Sequence, residues 1–384
     1  MYQVLALADD LTGALEVGAK FAATGAPVLV TTKVGFQANK LPKEGVLVID
    51  TETRHVPSEE ARRCVFELCR EAHDADVKYV FKKTDSTLRG NISAEISALS
   101  CAFADVPLFY VPAYPKMGRT VRGGILYVGG IPVTETSFAT DSLNPVRECH
   151  IPRLLSAVRT QPVISVMAEE FSASLQAGIY VCDGETDAEL ATLAKKLIAS
   201  KAFRLAAGTA GFVDYLAPLI DLPRTTPRRL PKLKRVLVIN GSRNEVSIRQ
   251  VQHFRKRCCA ARNANDIVGA EEDHGWIILD QPVGNCSPAD FARNFSQTVC
   301  DILRRKDFEA VVIFGGDTAY AILGAMGNPD LHPIGEAVEG VPVSAISRNL
   351  TGLKGNGFLY VISKAGGFGP IDVLDHIQMK LTRG

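Results

Sequence analysis

The sequence lacks several features that would place the protein in a specialised class. No stretch approaches the ~20 consecutive apolar residues of a membrane-spanning helix. The first ten residues, "MYQVLALADD", carry no basic segment before their short apolar run, so no secretory signal is indicated. The nine cysteines are odd in number and contain no C-x-x-C pair, which argues against a disulfide framework or a zinc site. We therefore expect a soluble cytoplasmic protein whose thiols are reduced and mostly buried.

The sequence also lacks an excess of positive or negative charge. Lys and Arg number 43 and Asp and Glu 42, which leaves a formal net charge of +1. Nucleic-acid binders usually carry a basic excess or a basic face. Neither a nucleic acid nor a membrane is therefore expected as a partner, and a small-molecule ligand is favoured.

Several well-known nucleotide and hydrolase motifs are missing. The chain has no G-x-x-x-x-G-K-[ST] loop, no G-x-G-x-x-G fingerprint and no G-x-S-x-G elbow. These absences exclude a Walker-type phosphate loop and the usual nucleophile turn, and they disfavour an NAD-linked oxidoreductase.

Short apolar runs alternate with helical patterns along the chain, as in βαβ units with a parallel sheet. At 384 residues the chain exceeds what one core usually holds. We predict an α/β fold with two domains, each with a largely parallel sheet flanked by helices. The early strands are predicted at Val4–Ala8, Val28–Thr32, Val46–Asp50, Tyr79–Lys82 and Leu108–Val111, and Ser58 and Asn91 are each predicted to cap a helix.

A proline-rich basic stretch separates the two predicted domains. Residues 222–235 read "LPRTTPRRLPKLKR", with three prolines, six basic residues and no acid, which is typical of a linker. We predict an N-terminal domain at 1–222, a linker at 223–234 and a C-terminal domain at 235–384. A second interpretation is that the basic residues draw anionic ligands into a cleft.

Two adjacent carboxylates end the first predicted strand, in "ALADDLTGA". Ligands bind at the carboxyl ends of strands in open α/β sheets, so Asp9 and Asp10 are candidate functional residues. Asp10 could instead cap the following helix by accepting an N–H bond from Thr12 or Gly13. Capping explains only one of the two carboxylates. The second adds repulsion, which is unfavourable unless another group compensates it.

A dense group of charges follows another strand, in "KYVFKKTDSTLRGN". Alternation along a strand should send Lys82 and Lys83 to opposite sides, so at most one of them points at a ligand. Asp85 and Arg89 follow within a few residues. Fixed donors at this density suit a carboxylate or phosphate, although ordinary loop charges are the alternative.

Three glycine-containing turns follow strands in the second predicted domain, in "VINGSRN", "VIFGGDTAYAIL" and "ISKAGGFG". Bare backbone N–H groups at a helix N-terminus are the usual arrangement for binding phosphate. Each loop alone could be a tight turn. Three together favour a nucleotide site.

The ordered set "ADDLTGA", "KKTDSTLRGN", "VPAYPKMGRTVRGGILYV", "TSFATDSLNPV", "GGDTA" and "KAGGFG" resembles the four-carbon acid sugar kinase family, which includes threonate, erythronate and 3-oxotetronate kinases. The resemblance covers nearly the whole chain. It implies an N-terminal domain for the sugar acid and a C-terminal domain for ATP, facing across a cleft. It also implies phosphorylation of the terminal C4 hydroxyl, with Mg²⁺ bridging the phosphates. The region between Arg257 and Trp276 is short for this family, and Ser137 stands where a proline is expected.

The resemblance also implies roles for individual residues. Either Asp9 or Asp10 would contact the sugar acid; we expect Asp10 to be the catalytic base with Asp9 in support, and the sequence leaves the reverse assignment open. Asp317 is a possible Mg²⁺ ligand or water-holder. Arg119 is a candidate phosphate contact. The expected sugar-acid contacts are Asp9, Arg54 of "DTETRH", Lys83, Asp85, Ser86 and Arg89, and the expected nucleotide contacts are Ser242, Gly315, Gly316, Asp317, Thr318, Gly366 and Gly367.

Two further interpretations stay open at this stage. A non-catalytic protein could sense a sugar acid or a nucleotide through domain closure, binding its ligand without turnover. The chain could also form a homodimer.

Overall fold

The computed structural model describes residues 3–34, 44–141, 143–156, 161–167, 175–200, 203–242, 244–257, 261–269, 275–279 and 288–383. The chain forms two compact units, one of residues 1–28 and 32–226 and the other of residues 29–31 and 227–384. Cys258, Cys259 and Cys286 lie outside the described residues, as does part of the short region between Arg257 and Trp276.

The first part of the chain builds an eight-stranded sheet and a small three-stranded one. In chain order the strands are β1 Val4–Ala8, β2 Val28–Thr31, β3 Val46–Asp50, β4 Tyr79–Lys83, β5 Leu108–Val111, β6 Arg119–Arg122, β7 Ile125–Val128, β8 Ile131–Pro132, β9 Val163–Val166, β10 Ile179–Cys182 and β11 Leu205–Gly208. The large sheet has the order β2-β3-β1-β4-β11-β5-β10-β9, and its pairings from β3 to β9 are parallel. Strands β6, β7 and β8 form the antiparallel sheet.

Helices pack against the large sheet because most residues of its central strands are apolar and buried. Every residue of β1 and β3 is buried, as expected of strands packed on both faces. The helices are α1 Leu11–Ala23, α2 Ser58–Asp74, α3 Ile92–Ala102, α4 Ile151–Ser156, α5 Asp187–Ala199 and α6 Ala210–Leu216. Helix α1 packs on α6, and α2 packs on α3.

The two predicted helix caps are wrong in detail. Ser58 is the first helical residue of α2 and Pro57 holds the cap position, where no side-chain hydrogen bond is made. Asn91 does hold the cap position of α3, but its amide donates to the carbonyls of Thr53 and Val56, each at 2.8 Å. Asn91 therefore holds the loop after β3 in place and does not cap the helix.

The second unit is a seven-stranded mixed sheet with helices. Its strands are β12 Arg235–Asn240, β13 Ala261–Arg262, β14 Gly275–Leu279, β15 Ala310–Phe314, β16 His332–Val338, β17 Val341–Ser347 and β18 Phe358–Lys364, in the order β13-β14-β12-β15-β18-β17-β16. The five strands from β13 to β18 in this sheet order are parallel, and β17 and β16 add antiparallel strands at the edge beyond β18. The helices are α7 Glu245–Arg255, α8 Ala264–Gly269, α9 Pro288–Arg305, α10 Gly316–Ala325 and α11 Val373–Arg383. The predicted fold class, two α/β domains with largely parallel sheets, is confirmed.

Two further expectations concern thiols and membranes. Among the cysteines in the described residues, Cys69, Cys182 and Cys300 are buried, and the others are half-buried; all are free thiols. No helix in the described ranges is both long and apolar enough to cross a membrane.

Candidate functional site

Three neighbouring strands of the first sheet end at the same edge and place the predicted acidic and basic residues together. Strand β1 lies between β3 and β4, with Ala8 level with Asp50 on one side and Lys83 on the other. The loops that follow these strands therefore meet at the carboxyl edge of the sheet, where α/β proteins bind ligands.

Arg54 joins the carboxylates of this edge. Its Nε donates to Asp9 Oδ2 and its NH1 donates to Asp10 Oδ2, both at 2.7 Å, and its NH2 lies 3.8 Å from Asp85 Oδ2. Only 11% of the Arg54 side chain is exposed. One buried guanidinium thus compensates the repulsion between the two adjacent acids. We call Asp9, Asp10, Arg54, Asp85 and Arg89 the carboxylate cluster.

Asp10 is the residue that caps α1. Its Oδ1 accepts from the backbone N–H of Gly13 at 3.0 Å while its Oδ2 accepts from Arg54. Asp9 makes no such cap; it is 2% exposed, and its Oδ1 has no hydrogen-bond partner within the described ranges. The two acids are therefore distinct: Asp10 is fixed at both oxygens, and Asp9 at one.

Asp85 is held by its own loop. Its Oδ1 accepts from the Thr87 backbone N–H at 2.9 Å and from the Thr87 hydroxyl, and Arg89 forms a bidentate pair with it at 3.1 and 2.7 Å. Burial favours the neutral form, but Arg89 and Arg54 outweigh it and hold the pKa of Asp85 well below its usual range. Asp85 is therefore ionised at neutral pH.

The "TSFATDS" stretch also reaches the cluster through Arg89. The Arg89 guanidinium lies over the Phe138 ring at 5.5 Å, and its NH1 is 3.5 Å from Asp141 Oδ2. Ser86 lies in the same loop as Asp85 and is half-buried.

Lys82 and Lys83 point to different elements, as strand alternation requires. Lys82 pairs with Glu95 of α3 at 2.9 Å. Lys83 lies against Gly13 of α1, where a Cβ would come within 2.7 Å of the Lys83 Nζ. The Lys83 side chain is 5% exposed, and its ammonium forms no hydrogen bond or ion pair with the part of the chain that the structure describes. Lys83 is thus the cation available to a ligand.

Other titratable groups near the cluster have shifted pKa values. Burial works against ionisation of Asp9, but Arg54, Lys82 and Lys83 lower its pKa below the usual value. Burial, with help from Glu52 and Asp10, raises the pKa of Asp50 well above its usual value. Burial also raises the pKa of Glu16 to about 7, against the opposing charge of Lys83.

Sequence reasoning missed Glu16, Thr53 and Glu95. Glu16 is three residues beyond Gly13 on α1, so helical spacing could have placed it on the same face. The Thr53 hydroxyl donates to Glu95 Oε1, a contact between residues far apart in sequence that no local pattern predicts. Arg119 has a buried Nε without a hydrogen-bond partner in the described ranges, and its NH1 donates to the Met117 carbonyl.

The predicted glycine loops of the second unit also come together. Strand β15 lies between β12 and β18; Gly241 N–H donates to the Phe314 carbonyl at 3.1 Å, and Gly315 N–H donates to the Lys364 carbonyl at 2.9 Å. The loops therefore meet at the N-terminus of α10, where backbone N–H groups favour a phosphate.

Side chains are excluded from the point where these loops touch. A Cβ on Gly366 would lie 2.6 Å from Ser242 Oγ, and one on Gly241 would lie 1.9 Å from Thr318 Oγ1. Gly315 has a φ of +105°, which favours glycine, and its Cβ position is 3.4 Å from Ser242 N. We call Ser242, Gly315, Gly316, Thr318 and Gly366 the glycine cradle. Gly367 and Asp317 lie at its rim and are exposed.

Two buried residues that the sequence did not single out support the cradle. The amide of Gln250 donates to the carbonyls of Phe368 and Gly369 at 3.0 Å and of Pro370 at 2.9 Å. Lys364 lies 5.1 Å from the Phe314 ring centre and 4.6 Å from that of Phe368, and burial lowers its pKa to about 7.

The donors of the cradle fit a nucleotide phosphate, since they are amides and hydroxyls at a helix N-terminus. In the described residues, no three His, Cys, Asp or Glu side chains form a group that could hold a metal ion. Mg²⁺ often uses one carboxylate with phosphate and water oxygens, and Asp317 is an exposed carboxylate at the rim of the cradle.

Comparison with known proteins gives family matches in both parts of the chain. Residues 4–216 match a sugar-binding N-terminal domain, and residues 279–374 match a nucleotide-binding C-terminal domain. The chain is 30% identical to the D-threonate kinase of Bordetella bronchiseptica over 96% of this chain and 95% of that one. It is 32% identical to the D-erythronate kinase of Heliobacterium modesticaldum over 66% of this chain and 60% of that one. It is 25% identical to the 3-oxo-tetronate kinase of Actinobacillus succinogenes over 97% of this chain and 98% of that one.

Solved structures share the fold. A Salmonella typhimurium protein superposes with a TM-score of 0.78 over 98% of both chains at 19% identity. A Bordetella bronchiseptica domain, described as a domain-swapped dimer with bound citrate, matches 99% of this chain and 98% of that one with a TM-score of 0.52 at 27% identity. With a sugar-binding model that spans more than half of its residues and a kinase relative along nearly its whole length, the chain belongs to the four-carbon acid sugar kinase family.

Proposed function

We propose that the protein is an ATP-dependent kinase that phosphorylates the terminal C4 hydroxyl of a four-carbon sugar acid such as threonate, erythronate or 3-oxotetronate. The observation that carries the proposal is the Arg54 arrangement, which presents Asp9, Asp10 and Asp85 at one sheet edge. The similarity to D-threonate kinase over nearly the whole chain supports it.

The carboxylate cluster suits the polyol part of such a substrate. Carboxylates accept hydrogen bonds from hydroxyl groups, and the Asp9 Oδ1 has no partner among the described residues. Arg54 is engaged by three acids, so the substrate's own carboxylate needs another cation. Lys83, whose ammonium is unengaged by the described residues, and Arg89, which is partly exposed, supply that charge, with the Ser86 hydroxyl beside them.

In this proposal Asp10 removes the proton from the acceptor hydroxyl. The Gly13 amide and Arg54 fix its two oxygens, which orients the carboxylate for a proton transfer. Asp9 supports it by sharing Arg54. Positioning and neutralisation of charge, rather than covalent chemistry, dominate phosphoryl transfer.

The glycine cradle is the proposed nucleotide site. Backbone N–H groups of Gly315, Gly316 and Gly366 bind phosphate oxygens, with the hydroxyls of Ser242 and Thr318 beside them and Gly367 at the rim. ATP with Mg²⁺ supplies the phosphoryl group, and Asp317 holds the ion directly or through water.

The test is a coupled assay of ADP release with each stereoisomer of threonate, erythronate and 3-oxotetronate. We expect at least one of them to stimulate ADP release and the product to carry phosphate on C4, seen as a ³¹P–¹³C coupling. If no sugar acid stimulates ADP release and ATP gives no thermal shift, the kinase proposal fails. Ligand binding without turnover would instead support a sensor.

We also propose that the enzyme acts in the cytoplasm, where ATP is regenerated, and that it forms a homodimer. The support for a dimer is that the Bordetella bronchiseptica domain is described as one. Sedimentation velocity at micromolar concentration distinguishes a dimer from a monomer of 41.4 kDa.

A further inference from the structure

A buried ion pair lies beneath the carboxylate cluster and has no part in the function proposed so far. Lys82 Nζ and Glu95 Oε2 are 2.9 Å apart, and the two side chains are 0% and 1% exposed. Burying two charges costs desolvation energy that their attraction often fails to recover, so apolar residues of similar size usually stabilise a fold as well. Stability alone therefore does not explain this pair.

The pair is connected to the strand ends that carry the site. Lys82 Nζ also donates to the Lys83 carbonyl at 2.9 Å. Glu95 Oε1 accepts from the Thr53 hydroxyl, which is 2.7 Å from the Thr51 hydroxyl, and Thr51 in turn donates to the Ala8 carbonyl at 2.7 Å.

This network ends at residues that either belong to the proposed sugar-acid site or directly precede one of its residues in the sequence. Ala8 directly precedes Asp9, Thr53 directly precedes Arg54, and Lys83 is itself the available cation. The network thus spans the ends of β1, β3 and β4, which strand pairing and Arg54 also join.

We propose that Lys82 and Glu95 are positioning residues for sugar-acid binding, acting through Thr53 and the Lys83 backbone to fix Asp9, Arg54 and Lys83 relative to one another. The inference rests on the proposed kinase function. It adds two residues that touch no substrate atom.

Electrostatics gives a second consequence of the same geometry. The charged and titratable groups near Asp9 come from its own loop, from the loop after β3, from β4, from α3 and from β5; they are Asp10, Arg54, Lys82, Lys83, Glu95 and Tyr110. Lys82 lowers the pKa of Asp9, whereas Glu95 repels the Asp9 carboxylate. Removing both members of the pair therefore leaves the net charge near Asp9 unchanged, so a change in substrate binding reports positioning and not titration.

The main test is the double variant Lys82→Met/Glu95→Leu, which replaces both charges with apolar groups. We expect a folded protein whose KM for the sugar acid rises about tenfold, with an unchanged KM for ATP. Leu99→Ala, a core truncation on the same helix at a residue that is 0% exposed, is the matched control; it should lower the melting temperature without changing the KM for the sugar acid.

If the double variant does not fold, two less disruptive substitutions of Thr53 decide the question. Thr53→Val removes the hydroxyl that contacts Glu95, and Thr53→Ser keeps it, so the KM should rise for Val and return towards wild type for Ser. A folded double variant, or Thr53→Val, with a wild-type KM for the sugar acid would overturn the inference. Absence of turnover by the wild-type protein would instead contradict the proposed function, and this inference with it.

Discussion

Asp10 combines two roles at the scale of a single residue. One oxygen caps α1 and the other accepts from Arg54. The structure confirms that Asp10 caps the helix, as its sequence position allows, whereas Asp9 makes no such cap. Whether Asp10 also acts as a base is a question that a substitution can isolate.

Asp10→Asn is the substitution that does so, because Asn caps helices about as well as Asp but cannot accept a proton at neutral pH. We expect kcat to fall about a hundredfold or more. The single amide oxygen can keep the bond from Gly13 but not also the bond from Arg54, so the melting temperature should fall modestly. A variant with normal kcat would remove Asp10 from the role of base and leave it as a cap.

Arg54→Met tests the guanidinium that joins the three acids. Asp9 is buried beside it, so the variant leaves an uncompensated carboxylate and should lose about 3 kcal/mol of stability. We expect kcat/KM for the sugar acid to fall at least about a hundredfold, equivalent to ~2.7 kcal/mol.

The control for Arg54→Met is Arg62→Met, which breaks an exposed pair with Glu59 on α2. Exposed pairs contribute little, so its activity and melting temperature should match those of the wild type. Equal kinetics in the two variants would show that Arg54 has no role in substrate binding.

At the scale of elements, the strands and helices followed from local patterns, and the side-chain partners did not. Buried apolar runs predicted β1, β3 and β5 with their observed bounds, because burial on both faces leaves a continuous apolar signal. Asn91 was predicted as a cap because the sequence does not show the Thr53 and Val56 carbonyls that its amide contacts.

Local sequence patterns also located the two candidate sites without predicting the side chains that support them. Glycines after strands indicated the cradle, since chain order alone puts them at strand ends. Gln250, which holds the carbonyls of the loop after β18 from a position about 120 residues away in sequence, gave no local signal. The predicted roles of the site residues remain predictions for the experiments described above.

The cradle offers a test of one element, the loop after β18. In Gly366→Ala the new methyl group would lie 2.6 Å from Ser242 Oγ, so the Ser242 hydroxyl must rotate away. We expect the KM for ATP to rise about tenfold with little change in the KM for the sugar acid.

Gly335→Ala in β16 is the matched control for this substitution, because no atom lies within 4 Å of its Cβ position. Its kinetics should equal those of the wild type. A Gly366→Ala variant with an unchanged KM for ATP would argue against a phosphate site at this loop.

At the scale of the whole molecule, Glu16 makes stability depend on pH. Its pKa rises from 4.5 to about 7 on folding, so between these values the folded protein binds more protons than the unfolded chain. The contribution of Glu16 to the free energy of unfolding therefore falls as pH increases through this window.

Glu16→Gln should remove that slope. Relative to the wild type, the variant should gain stability as pH increases from about 4.5 to 7 and keep a constant advantage above that, as measured by urea unfolding at several pH values. Glu60→Gln, which changes an exposed carboxylate on α2, is the control. A difference between Glu16→Gln and wild type that does not vary with pH would contradict the raised pKa.

The balance of charge around Arg54 has a consequence for how a substrate arrives. The carboxylates of Asp9, Asp10 and Asp85 are matched by Arg54, Arg89 and Lys83, and the chain as a whole carries only +1. Attraction over distances beyond the ~8 Å screening length of physiological salt is therefore weak. On the proposed function, we expect a sugar acid to reach this protein largely by unguided diffusion, with discrimination beginning when its hydroxyls and carboxylate reach the individual side chains.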